Sequence, residues 1–162
     1  MISIGQVINA MIGYYAGDVR RVNHFLKVYS FAKAIGEAEG LCDGTQQILE
    51  IAALTHDIGI KNSEKKYNSS AGSYQQIEGP PEAKKLLEEL GIEAAVIDRV
   101  CWLIAHHHTY TDIQGIDYQI LIESDFLVNI NEDNLALESI NSIREKVFKT
   151  ESGIKTLKAM YN

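Results

Sequence analysis

Apolar residues recur every three or four positions along most of the chain, and this period constrains the fold more than any other sequence feature. Ile4, Val7, Ile8 and Met11 begin the pattern, which predicts an amphipathic helix over 2–15. Asp18 follows as a candidate N-cap for the next helix. No strand pair with a hairpin signal interrupts the pattern, so the sequence predicts an all-α fold. The further predicted helices are 19–38, 45–56, 82–90, 93–107, 117–130, 134–149 and 152–161.

Residues 59–79 break this period, because polar and small residues prevail there. Loops of about 20 residues in compact domains are usually functional or disordered. We therefore expect a loop here and, over 61–79, a mobile flap whose lysines (Lys61, Lys65 and Lys66) could reach a bound phosphate. An inert surface loop with solvated charges is the alternative. Pro80 and Pro81 suit the start of the next helix.

Composition and charge exclude several classes of protein. A chain of 162 residues with 46% apolar and 23% charged residues fits one globular domain over 1–162. A net charge of −7 argues against a nucleic-acid polymer as partner. No apolar run approaches the roughly 20 residues that span a bilayer, so no membrane is expected. Cys42 and Cys101 form no disulfide framework, and we expect a cytoplasmic location.

Histidines and carboxylates at the ends of apolar segments are the main chemical feature. The five histidines are His24, His56 and the run 106–108, and Asp57 directly follows His56. Asp125 lies inside another apolar helix, where a carboxylate is costly unless it is paired or ligates a metal. Imidazole and carboxylate ligands together suit a divalent transition metal better than calcium or magnesium.

Each of these residues also has a simpler interpretation. A single histidine such as His24 is more often a core or surface residue than a ligand. Asp125 could pair with Arg99, and the histidine run could be a solvated helix terminus, where positive charge is favourable. The combination favours a metal site, because four predicted helices each deliver ligand-type residues in the order His, His-Asp, His cluster, Asp.

This order resembles that of the HD-domain metal-dependent phosphohydrolase superfamily. The family pattern is a histidine on an early helix, a His-Asp doublet and a later aspartate, often with histidines before that aspartate. The resemblance covers about residues 18–130. The matching residues are His24, the doublet His56-Asp57 followed by Ile58-Gly59, the cluster that begins at His106, and Asp125.

The resemblance implies an HD-domain-like helical bundle with a central metal. His24, His56, Asp57 and Asp125 would be its ligands, and Asp57 would also contact the water that the metal activates. The implied activity is hydrolysis of phosphoesters or phosphoanhydrides of small molecules, nucleotides included, by a metal-dependent phosphohydrolase.

Three further residues are candidate catalytic groups in this interpretation. We expect His106 and His107 to contact phosphate or transfer protons, and Lys61 to meet the phosphate from the flap. A role for the two histidines as ligands of a second metal is the alternative.

Departures from the family pattern bear on the cofactor. Two-metal members carry another histidine between the doublet and the late cluster, and this chain has none between Asp57 and His106. We therefore expect one divalent transition metal: manganese, iron, cobalt, nickel or zinc.

Other functions and the oligomeric state stay open. A non-catalytic metal- and nucleotide-binding regulatory domain is the main alternative to the enzyme. A diiron oxidative enzyme is a weaker one, because a diiron site needs more ligands than the four named here. The expected partner is a small phosphorylated substrate, and a homodimer stays open.

Overall fold

Nine α-helices form the regular structure of the computed structural model, which describes residues 2–161. No strand occurs in that range, so the all-α prediction is confirmed. None of these helices combines the length and apolar character needed to cross a bilayer. The helices are α1 (Ile4–Tyr14), α2 (Val19–Ala38), α3 (Asp43–Thr55), α4 (Ile60–Tyr67), α5 (Gly72–Glu89), α6 (Ala94–His106), α7 (Ile116–Glu132), α8 (Leu137–Lys146) and α9 (Glu151–Met160).

Helices α3 and α7 form the centre of the bundle. Helix α3 packs against α1, α2, α6 and α7, and every residue from Leu49 to Thr55 is buried. Helix α7 is likewise buried at every position from Asp117 to Asp125. A helix covered on all sides has no solvent-facing stripe, so polar groups on α3 and α7 lie in the interior.

The capping residues in the sequence predict the start of α2 correctly but not that of α3. The carboxylate of Asp18 accepts a hydrogen bond from the backbone N–H of Arg21 at 3.2 Å, so the predicted N-cap of α2 is confirmed. The predicted start of α3 at Thr45 is wrong, because the helix already begins at Asp43. An acidic residue in the first turn complements the helix dipole, which favours this earlier start.

The loop predicted over residues 59–79 is wrong, since most of this stretch lies in α4 and α5. The flap predicted over 61–79 therefore loses the loop on which it depended. Its buried face is polar and is stabilised by hydrogen bonds. Ser63 donates to the carbonyl of Gly59 at 2.7 Å, and Glu78 accepts from Lys66 at 2.8 Å and from Tyr67 at 3.0 Å. Helices that bury polar side chains lack the apolar stripe on which the sequence prediction depended.

Pro80 and Pro81 lie inside α5, so the prediction that they start a helix is also wrong. Proline lacks a backbone donor and usually breaks a helix interior. Helix α5 is covered on two sides, by α4 and by α6. We infer that this packing outweighs the two missing backbone hydrogen bonds.

The backbones of α4 and α5 cross closely at two glycines. A Cβ atom at Gly59 would lie 2.7 Å from the nitrogen of Gly79 and 3.0 Å from the carbonyl oxygen of Gln75. Both are backbone atoms, which cannot move aside as a flexible side chain can. The crossing therefore requires glycine at position 59, two residues after Asp57.

Gly59→Ala should lower the free energy of unfolding by about 1–3 kcal/mol, the usual cost of overpacking. Gly13→Ala is the matched control, because nothing lies within 4 Å of its added Cβ in helix α1. That variant should match the wild type or gain up to about 1 kcal/mol from helix propensity. Urea denaturation measures both, and equal stabilities of the two variants would contradict the close crossing.

The buried acid Glu123 attaches the C-terminal helices to α7. Its carboxylate accepts hydrogen bonds from Gln119 at 2.7 Å and from the Thr150 hydroxyl at 2.7 Å. The backbone N–H groups of Lys149 and Thr150 donate to it at 3.3 and 3.2 Å. All of these partners belong to α7 or to the segment before α9, so Glu123 has a structural role. Asp125, two residues later, faces other ligand-type residues instead.

Candidate metal centre

Four predicted ligands from three helices meet at one point in the bundle interior. His24 lies in the second turn of α2, His56 and Asp57 follow the end of α3, and Asp125 lies midway along α7. The Nε2 atom of His24 is 3.2 Å from Asp57 Oδ2 and 3.3 Å from Asp125 Oδ1. The Nε2 atom of His56 is 3.4 Å from each of the same two oxygens.

The hydrogen bonds of the second ring nitrogen fix the orientation of three histidines. His56 Nδ1–H donates to the carbonyl of Ala53 at 2.7 Å, and His107 Nδ1–H donates to the carbonyl of Ile104 at 2.8 Å. His24 Nδ1–H donates to a carboxylate oxygen at 2.9 Å. Each partner is an acceptor only, so Nδ1 carries the proton and, in the neutral ring, Nε2 keeps its lone pair for a metal.

The nitrogen and oxygen atoms that meet at this point are arranged as a metal ion would require. The Nε2 atoms of His24 and His56 lie 3.3 Å apart, and in this tautomer two lone pairs would face each other. Two carboxylate oxygens border the same point, so the cluster attracts a cation. The mixed nitrogen and oxygen donor set is one that divalent transition metals accept. The residues present therefore fit a divalent metal ion.

The electrostatics of the centre also favour positive charge. Burial opposes protonation of His24, but hydrogen bonds to Asp125 and Asp57 outweigh it and raise the pKa of His24 to about 10. Burial acts in the same way on His56, and the two carboxylates raise its pKa well above the usual value. Burial opposes ionisation of Asp57, but the adjacent His56 and the other histidines around this carboxylate together hold its pKa well below the usual range.

Of the two neighbouring histidines predicted as catalytic, the structure brings His107 to the centre. Its side chain is 1% exposed, and its Nε2 lies 3.4 Å from Asp57 Oδ1 while making no hydrogen bond with a described residue. The ring of His106 instead stacks on the ring of Trp102, with the ring centroids 3.9 Å apart. The Nδ1–H of His106 donates to the backbone carbonyl of Trp102 at 2.7 Å. Consecutive residues at a helix end differ by about 100° in direction.

Asp57, His107 and His108 form a second group of ligand-type atoms, all within 4.8 Å of one another. His108 Nε2 lies 3.1 Å from the Oε1 atom of Gln75. Burial and the neighbouring His107 lower the pKa of His108 to about 4, so His108 is neutral at pH 7. Asp57 links the two groups, because its Oδ2 atom lies next to His24 and His56 and its Oδ1 atom lies next to His107.

Lys61 and Arg99 have partners away from the four ligands. Lys61 Nζ donates to the carbonyl of Tyr14 at 3.0 Å and lies over the Tyr14 ring. Lys61 belongs to helix α4 and not to the loop from which it was predicted to reach a phosphate. Arg99 forms a two-point ion pair with Asp117 and does not pair with Asp125. Asp125 therefore keeps its carboxylate for the cluster.

An open cavity of about 440 Å³ adjoins His24 and Asp57. Its apolar wall includes Met11, Phe25 and Leu54, and its polar wall carries charges of both signs. Besides His24 and Asp57, the charged and polar lining residues are Tyr15, Asp18, Arg20, Arg21, Glu64, Ser70, Asn129, Glu132 and Asp133.

Two residues on α7 that sequence reasoning missed support the ligands. Asn129 donates from Nδ2 to Asp125 Oδ1 at 3.0 Å, and Glu132 accepts the hydrogen bond from His24 Nδ1–H. Together with Asp125 they occupy positions i, i+4 and i+7, which share one face of a helix. This polar stripe in an otherwise apolar segment is the signal that could have identified them.

The part of the chain that contains the four predicted ligands is also the part that is similar to a known family. The model of the HD domain family matches residues 21–149, which include all four predicted ligands. The chain belongs to the HD domain family. A crystal structure of a predicted HD superfamily hydrolase from an uncultured Thermotogales bacterium is similar, with a TM-score of 0.67 and 25% identity. That similarity covers 96% of this chain and 83% of the other. A comparison with curated proteins finds no match.

Helix α1 precedes the range matched to the HD domain but contributes to the site. The hydroxyl of Tyr15, just after α1, donates to the backbone carbonyl of Asp57 at 2.7 Å. Tyr15 is 4% exposed, so this hydrogen bond is shielded from water. It fixes the backbone at the residue shared by the two groups of ligand-type atoms.

Proposed function

We propose that this HD domain is a metal-dependent phosphohydrolase that acts on small phosphorylated molecules. One observation carries the proposal: two imidazole Nε2 atoms and two carboxylate oxygens converge within 3.2–3.4 Å beside an open cavity. His24, His56, Asp57 and Asp125 would hold one divalent transition metal. A metal there would supply a Lewis acid that polarises a phosphoryl oxygen and lowers the pKa of a water molecule.

His107 and Asp57 are the groups that would move protons in this reaction. His107 Nε2 has no hydrogen-bond partner among the described residues, so it can accept a proton from an attacking water. Asp57 Oδ1, 3.4 Å away, would stabilise the imidazolium that forms. An imidazole beside a carboxylate is a common arrangement for general acid and base catalysis.

The cavity supports a small substrate with a negatively charged group. Among its described lining residues the cations are Arg20 and Arg21. Arg21 is already paired, with Glu64 at 2.6 Å and with Asp18 at 3.7 Å. Arg20 lies one turn before His24 on α2, so its guanidinium is the group we propose for contact with the substrate phosphate.

A screen for phosphate release tests this function. Metal-reconstituted protein is assayed with manganese, cobalt or zinc on nucleotides, sugar phosphates and p-nitrophenyl phosphate. We expect hydrolysis that chelation removes and that Asp57→Ala lowers to background, because this substitution removes a ligand and the partner of His107 together. Phosphate release that persists in Asp57→Ala would contradict the assignment.

Nucleotide binding and metal content, measured on the same metal-reconstituted protein, distinguish the competing functions. Tight binding of a nucleotide without hydrolysis would favour the regulatory domain. Two metals per chain would favour a second ion at the group of Asp57, His107 and His108, and it would restore the oxidative alternative. About one metal ion per chain supports the single-metal enzyme.

A further inference from the structure

A carboxylate and a lysine lie behind His24, on the side of the ring opposite to the ligand cluster. His24 Nδ1–H donates to Glu132 Oε2 at 2.9 Å. The other oxygen, Glu132 Oε1, lies 2.6 Å from Lys27 Nζ. Lys27 is on α2, one turn after His24, whereas Glu132 is the last residue of α7. The end of α7 thus binds two side chains of α2 through one carboxylate.

We propose that Glu132 is a positioning residue for the metal centre, which orients His24 and sets the affinity for the metal. The inference rests on the proposed metal site. A carboxylate on the distal nitrogen fixes the tautomer and the ring orientation of a metal-ligating histidine and raises the basicity of its other nitrogen. Lys27 in turn holds the carboxylate in place.

His24 depends on a side chain in a way that the other two histidines do not. His56 and His107 donate from Nδ1 to backbone carbonyls three residues earlier in their own segments. Those carbonyls are present whatever the side chains are. The Nδ1 partner of His24 comes from another helix and can be removed by substitution, so His24 is the histidine of this group whose orientation a single side chain controls.

A plain surface ion pair would not explain this arrangement. Lys27 is 47% exposed while the Glu132 side chain is 16% exposed, and exposed ion pairs typically contribute about 0–1 kcal/mol to stability. Glu132 directs its second oxygen at the imidazole instead of at water. Asp133, the next residue, also lines the cavity but is exposed, and it carries the same charge without contacting a predicted ligand.

Metal binding to the full chain tests the role of Glu132. The dissociation constants for Mn²⁺ and Co²⁺ are measured by competition with a chromophoric chelator, and the visible spectrum of bound Co²⁺ reports on ligand geometry. We expect Glu132→Ala to weaken binding about 10–100-fold and to change the Co²⁺ spectrum. Glu132→Gln keeps an acceptor for His24 Nδ1–H but loses the charge, so its affinity should lie between those of Glu132→Ala and the wild type.

Asp133→Asn is the matched control, because it removes one negative charge from the same end of the cavity. It should bind metal within about twofold of the wild type, since exposed charges are screened. Equal affinities of wild type and Glu132→Ala, or equal losses in Glu132→Ala and Asp133→Asn, would overturn the positioning role. Glu132→Gln is close in shape to the wild type and decides the question if the alanine variant fails to fold. A wild-type protein that binds neither metal would overturn the metal centre itself, and this inference with it.

Discussion

Replacing His56 or Asp125 with alanine should remove the bound metal almost completely. His56 is fully buried and Asp125 is 7% exposed, and each substitution leaves three of the four side chains that would hold the metal. Elemental analysis of protein purified without chelator should give about one transition metal per chain for the wild type and less than about a tenth of that for each variant.

His106→Ala is the control for this loss of metal. It removes an imidazole of the same chain, but one that stacks on Trp102 and bonds to its carbonyl. The control should keep the metal content of the wild type. Unchanged metal content in both His56→Ala and Asp125→Ala would contradict the ligand assignment.

The adjacent residues His106 and His107 should differ sharply in their effect on phosphate release. His107→Gln removes the proton acceptor next to Asp57, and loss of a general acid or base typically lowers the rate about 10²–10⁴-fold. His106→Ala loses a stacked ring, which costs about 0.5–1.5 kcal/mol of stability but should leave kcat within about twofold of the wild type.

Two measurements check this contrast. Steady-state kinetics give kcat for each variant, and thermal unfolding shows whether both variants remain folded at the assay temperature. Equal losses of kcat in two folded variants would return His106 to the catalytic role that the sequence suggests for it.

The four ligand-type residues that meet in the bundle interior could be identified from the sequence because the signal for each of them is local. A carboxylate within an apolar helix, as at Asp125, or a His-Asp doublet at a helix end stands out without any knowledge of the fold. The apolar period also predicted most of the helices, since burial of one face is what stabilises them. The order of these signals along the chain then indicated the family that residues 21–149 match.

Features that depend on packing were not predictable in this way. Helices α4 and α5 bury polar groups such as Ser63 and Glu78, whose partners come from elsewhere in the segment. The hydrogen bond between His24 and Glu132 joins residues 108 positions apart. Which of His106 and His107 faces Asp57 depends on where α6 ends and how the chain turns there.

The rate of phosphate release as a function of added metal shows whether hydrolysis depends on a metal held by the four predicted ligands. Chelator-treated protein is titrated with one divalent metal on the best substrate of the phosphoester screen, with Asp57→Ala in parallel. We expect the wild-type rate to rise from background in proportion to bound metal and to reach its maximum near one equivalent, while Asp57→Ala stays at background. A rate that is independent of added metal, or equal in the two proteins, would contradict this dependence.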